Sequence, residues 1–216
     1  MRIALEDSPD PRVPGRPGRK VLRHKLLRNN SRMSESSAMR CTPRKVVILR
    51  ALKLGDLLCA VPEFRAVRRG WPEAEIVLVG LPWASEFVDR FGGYLSGFRE
   101  FPGYPGLPER EPDLDRLADF LAGIRAERFD LAIQLHGSGM ITNAITRQFG
   151  ARTYAGFYDQ TTMCLDPATF LPYPEAGREV SRLLRLVAHL GVSPCGTGLE
   201  FPVADSDRSA ARTLRR

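Results

Sequence analysis

From residue 45 onward, short apolar runs alternate with longer amphipathic stretches, which predicts strands and helices in turn. Residues 45–50, Lys45-Val46-Val47-Ile48-Leu49-Arg50, form a run rich in β-branched side chains and of strand length. The chain then passes through Ala51-Leu52-Lys53-Leu54-Gly55-Asp56 into a predicted helix over 56–71, with Leu58, Val61, Phe64, Ala66 and Val67 on one side. Pro62 inside it removes a backbone donor and predicts a kink. A second strand is predicted at 75–79, a short helix at 85–91 and a weak third strand at 97–101. The next loop carries Pro102, Gly103, Pro105, Gly106 and Pro108, a composition that predicts a mobile surface segment.

Helical spacing returns over 113–127 (Leu114, Leu117, Phe120, Leu121, Ile124), with Asp113 placed to cap it. The clearest buried strand is 130–135. It ends at His136-Gly137-Ser138-Gly139, and a helix is predicted from there to about Phe149. Another strand fits 153–157, followed by an irregular stretch to Pro174. A strongly periodic helix covers 178–190 and stops at Gly191, a short extended piece covers 199–202, and a last helix starts at Asp205. Such alternation implies an α/β fold, a mostly parallel Rossmann-like sheet with helices on both faces.

Ligands of such sheets bind outside the carboxyl ends of the strands, so the turns after 45–50 and 130–135 carry the candidate chemistry. At the first, Asp56 is a helix cap, a general base within reach of a substrate hydroxyl, or both. At the second, Gly137 allows close backbone approach, with His136 and Gln134 beside it; His136 is equally well read as a structural residue. The run is neither a dinucleotide fingerprint, since position 142 is Thr, nor a nucleophile elbow, since His136 and Met140 stand where glycines belong. A nicotinamide-dependent oxidoreductase is thereby disfavoured. Arg50, Lys53 and Arg147 stand near predicted strand ends, where anionic groups would sit. Asp113-Leu114-Asp115 and Asp205-Ser206-Asp207 resemble metal-binding D-x-D motifs, but each opens a helix, where acidic residues cap and complement the dipole. No metal is expected.

The net charge of +7 belongs to the beginning of the chain: residues 1–44 hold 11 Lys/Arg against 4 Asp/Glu, and the rest is balanced. Without aromatic residues among its basic ones, this leader is not read as a nucleic-acid binder. Pro9, Pro11, Pro14 and Pro17 and few apolar residues predict disorder over 1–44. The simplest reading is that translation starts at Met33 or Met39; the alternative is that the helical patch at 21–28 touches an anionic membrane surface. The cysteines, Cys41, Cys59, Cys164 and Cys195, are too scattered for a zinc site or a disulfide framework. With no run long enough to span a bilayer, a cytoplasmic protein is expected, at most peripheral on a membrane.

The segments Ile48-Leu49-Arg50 to Gly55-Asp56-Leu57-Leu58, Pro62 to Arg68, Trp71 to Ile76, Phe129 to Gly139, Gly150 to Phe157, and Glu179 to Val192 together resemble, in order and spacing, the amino-terminal half of glycosyltransferase family 9, the lipopolysaccharide heptosyltransferases. The resemblance implies one domain of a GT-B architecture, in which two Rossmann-like domains face each other across a cleft. It further implies metal-independent, inverting transfer from a nucleotide sugar of the ADP-heptose kind to a lipid-linked or phosphorylated saccharide acceptor. Asp56 maps onto the proposed base. Arg50, Lys53, Gly55, Gln134, His136, Gly137 and Arg147 would contact the acceptor. Residues 45–202 would be the acceptor domain, and 203–216 the truncated start of a connection to a missing donor domain, for which a separately encoded partner is one source. No cofactor is implied beyond the donor substrate. On this reading the chain alone is inactive, and the alternative is a catalytically silent module that binds sugar phosphates or glycans.

Overall fold

The computed structural model describes residues 42–214. The expectations for the leader up to residue 41, Cys41 included, lie outside the described residues. In chain order the elements are β1 (Lys45–Leu49), α1 (Leu54–Gly70), β2 (Glu75–Gly80), α2 (Ala84–Arg90), β3 (Gly97–Glu100), α3 (Leu114–Ala126), β4 (Leu131–Gln134), α4 (Thr142–Arg147), β5 (Thr153–Tyr158), β6 (Phe170–Pro172), α5 (Glu179–His189) and α6 (Asp205–Leu214). All strand pairs are parallel, in the order β3-β2-β1-β4-β5-β6. The fold is a Rossmann-like α/β sheet.

Two apolar layers hold it together, because successive strand residues face opposite sides. Val46, Ile48, Ile76, Leu78, Leu131 and Ile133 pack under α1, α2 and α5, against Leu57, Phe64, Phe87, Leu183 and Leu186. Val47, Leu49, Val77, Val79 and Ala132 pack under α3 and α4, against Leu121, Ile124, Ile145 and Phe149. Residues 46–49, 76–79 and 131–133 are wholly buried, as both-face coverage of a parallel sheet requires.

The strand–helix alternation matches expectation, and Asp113 caps α3, its Oδ1 accepting from the Arg116 N–H at 3.1 Å. Several details differ. Helix α1 starts at Leu54 and runs through Pro62 as one element. Helix α4 ends at Arg147, since Gly150 at φ 70° turns the chain into β5. Strand β6, only three residues ending in proline, had no legible pattern. Residues 199–202 form no strand.

The Pro/Gly loop after β3 is tied down along its length. Arg110 Nη1 donates to Glu100 Oε1 and to the Phe101 carbonyl, both at 2.8 Å, and the Asp113 N–H reaches the Pro102 carbonyl at 2.9 Å. Tyr104 and Leu107 pack against the α3–α4 layer. Gly103 is required there: at φ 89°, an added Cβ would come within 2.9 Å of Pro112 Cα. Among the described residues no helix is long and apolar enough to cross a membrane.

Candidate active site

The chain first builds outward from β1 through β2 to β3, then crosses back to place β4 on the other side of β1. The strand order therefore reverses between β1 and β4. At such a switch point the loops leaving neighbouring strands diverge to opposite faces and open a crevice at the carboxyl edge. Leu49 pairs in register with Gln134, so both strands end at one level. Residues 50–56 and 135–141 are the two walls.

On the first wall Lys53 occupies the N-cap of α1 with no side-chain cap, which places Asp56 in the first helical turn rather than at the cap. The capping reading of Asp56 is thus replaced by a weaker one, a carboxylate complementing the helix dipole. Asp56 is half-buried, and its carboxylate makes no hydrogen bond among the described residues. Its backbone is held firmly: the Asp56 carbonyl accepts from Arg50 Nε at 3.0 Å and Nη2 at 2.8 Å. Lys53 and Gly55 are exposed, and a Cβ added at Gly55 would meet nothing within 4 Å.

Arg50, expected at an acceptor contact, lies behind the crevice, turned into the protein. It is 0% exposed, and its guanidinium also donates to the Leu135 carbonyl and to Glu179 Oε1, the latter at 3.1 Å. Four of its five N–H donors are used, on α1, on the residue after β4 and on α5, and the side chain is closed off from solvent. Arg147 is also displaced from the site. Helix α4 runs antiparallel to the strands, so its last residue lies beside the beginning of β5, where the Tyr154 hydroxyl donates to the Arg147 carbonyl at 3.2 Å. That is the opposite edge of the sheet from Asp56.

On the second wall Gln134 lies behind the site. Fully buried, it donates through Nε2 to Thr142 Oγ1 and the His136 carbonyl, both at 2.6 Å, and accepts from the Phe157 N–H at 3.3 Å. These bonds shape the loop. Close contact with Gln134 also explains Gly156, whose added Cβ would come 2.9 Å from the Gln134 Cβ. Gly137, at φ 72°, is exposed with open space before it. His136 is 5% exposed. Its Nε2 lies 3.2 Å from Glu109 Oε1, within ion-pair distance, yet the approach leaves both ring nitrogens without a well-formed hydrogen bond. Burial lowers the imidazole below its ordinary value; Glu109 and Asp56 pull it up less strongly, and Arg50 pushes it down. The ring is therefore neutral at pH 7.

The structure thus brings Lys53, Gly55, Asp56, His136 and Gly137 to one crevice, puts Arg50 and Gln134 behind it, and removes Arg147. Sequence reasoning missed Glu109, a charged residue in a Pro/Gly loop with no local mark of function. It also missed Glu63, on α1 two turns beyond Asp56, which is 1% exposed with neither carboxyl oxygen hydrogen-bonded. Both D-x-D pairs are helix starts: Asp113 is the α3 cap, and Asp207 binds Arg90 at 2.6 Å and the Ala204 N–H at 2.8 Å. No group of three or more His, Cys, Asp and Glu side chains suited to a metal occurs among the described residues.

Comparison with solved structures places this geometry. A family 9 glycosyltransferase from Veillonella parvula matches with TM-score 0.64 at 17% identity, over 82% of this chain and 50% of that one. The fold is that of family 9 glycosyltransferase structures. Two Escherichia coli heptosyltransferases agree: WaaC with ADP-2-deoxy-2-fluoro heptose (TM-score 0.54, 15% identity, 72% of this chain and 51% of that one) and ADP-heptose lipopolysaccharide heptosyltransferase II (0.53, 14%, 79% and 50%). This chain spans about half the length of each. No sequence-family model matches it, and no curated protein does.

Proposed function

We propose that this chain is the acceptor-binding half of a family 9-like glycosyltransferase, with Asp56 as the base that deprotonates the acceptor hydroxyl. The observation that carries the reading is a carboxylate with no hydrogen-bond partner among the described residues, on a rigid first turn at the switch point. A general base needs a fixed position within hydrogen-bond reach of the proton it takes, and Arg50 supplies that rigidity from behind. The fold likeness to the heptosyltransferase structures supports the assignment.

In this reading a second Rossmann-like domain holds the nucleotide sugar across the cleft, and transfer inverts the anomeric centre without a metal. Holding both reactants in one cleft supplies much of the rate acceleration, so the chain by itself transfers little or nothing. The acceptor is a lipid-linked or lipopolysaccharide-core saccharide, which would place the protein at the cytoplasmic face of the inner membrane as a peripheral component. The test supplies a heptosyltransferase donor domain in trans and replaces Asp56 by Asn. Transfer should be lost while the melting temperature stays nearly unchanged. Full activity in D56N would overturn the base assignment, and a loss confined to stability would return Asp56 to a structural role.

A further inference from the structure

The loop between β3 and α3 crosses toward the switch point and sets Glu109 beside His136. Glu109 Oε2 and His136 Nδ1 are buried atoms with no hydrogen-bond partner. The backbone under the ring is immobile, because the His136 carbonyl accepts from Gln134 Nε2 at 2.6 Å and Thr142 Oγ1 at 2.8 Å. Asp56 is close enough to influence the imidazole electrostatically. The first turn of α1 and the loops leaving β3 and β4 therefore bring Asp56, Glu109 and His136 together at the carboxyl edge. Buried polar atoms in folded proteins are nearly always paired, so a cluster of unmet ones at a crevice calls for a ligand.

Their chemistry limits what that ligand is. A neutral imidazole has one N–H and one lone pair, and a carboxylate beside Nε2 selects the tautomer with its proton there. Nδ1 is then an acceptor. Glu109 Oε2 and the Asp56 carboxylate oxygens are acceptors too. A phosphate or carboxylate would bring more acceptors and repel them, whereas sugar hydroxyls bring donors. Exposed Gly137, with open space before it, lies next to the ring and leaves an approach. With Arg50 consumed internally and Arg147 on the opposite edge, Lys53 is what remains of the three cations expected to bind an anion here.

We propose that Glu109 is a positioning residue for His136 and that the pair, beside Asp56, binds adjacent hydroxyls of an uncharged sugar ring. This rests on the reading that Asp56 faces the acceptor. Apo geometry at such sites is often loose and tightens on binding, which accounts for the imperfect approach of Glu109 to Nε2.

The test uses the full chain labelled with 15N, titrated with methyl α-D-mannopyranoside and, separately, with mannose 6-phosphate. Ring 15N shifts report the His136 tautomer, and the titrations report affinity. The wild type should show the Nε2–H tautomer, respond at the ring to both sugars, and bind the neutral one at least as tightly as the phosphate. E109Q should mix the tautomers and weaken neutral-sugar binding about tenfold, the scale of a lost hydrogen bond to a charged group. D56N should leave the tautomer unchanged. E109A is the second variant, and thermal melts confirm that both fold. An unchanged tautomer and affinity in E109Q, a ring that responds to neither sugar, or binding that needs the phosphate would each overturn the proposal. The base assignment would still be decided separately, by transfer in D56N.

Discussion

Replacing Glu63 by Gln isolates the linkage of one buried proton to folding. Glu63 is 1% exposed on α1, and neither of its oxygens has a hydrogen-bond partner. Burial raises its carboxyl well above the ordinary glutamate value; Arg50 opposes this and Glu179 adds to it. In the unfolded chain the same group loses its proton near the ordinary value. Below that value both states are protonated and the group contributes nothing to the pH dependence. Above it, until the folded group ionises, the native state holds one more proton, so stability falls as pH rises. Each pH unit inside that window costs about 1.4 kcal/mol. At roughly 2–4 °C per kcal/mol for a domain of this size, that is about 3–5 °C per unit. E63Q has no proton to lose. Its melting temperature relative to wild type should be level below about pH 4, near the ordinary glutamate value, and climb steadily above it. Circular dichroism melts of both proteins from about pH 3.5 to 8 measure the difference across this window. A difference that stays constant with pH, or shrinks as pH rises, would refute the assignment of a buried neutral carboxyl.

Arg50→Met removes a fully dry guanidinium and leaves the Leu135 carbonyl without its side-chain donor, while Glu179 keeps Arg182, so it should destabilise by about 1–3 kcal/mol in urea unfolding. A loss below about 1 kcal/mol would show that the strut is dispensable. Gly55→Ala places a methyl group in open space on a helix, where alanine is favoured by up to about 1 kcal/mol. Stability should hold or rise while saccharide binding falls, and unchanged binding would mean that the acceptor does not pass over Gly55.

The alternation of strands and helices was readable because the runs of β1, β2 and β4 are buried on both faces and α1, α3 and α5 each bury one apolar side. Asp113 was readable as a cap because capping is local, involving Arg116 three residues away. The roles of Arg50, Arg147, Gln134 and Glu109 were not, because each depends on distant chain or on direction. Arg50 at a strand end looks free until Glu179, 129 residues later, closes over it. Arg147 follows a strand end by one helix, and that helix carries it back to the other edge. Glu109 belongs to a loop whose prolines and glycines suggest mobility, and its partner His136 comes from another strand. Glu63 looks like a solvated helix residue until α5 packs against α1.

The most direct test of the acceptor crevice maps where a saccharide lands on the protein. Backbone amide shifts of the full chain, titrated with methyl α-D-mannopyranoside, should move at residues 53–57 and 136–140, on both sides of the β1–β4 switch point. Shifts gathered instead at the opposite edge, around Arg147 and Tyr154, would contradict the account, as would tight binding of a nucleotide sugar to this chain alone.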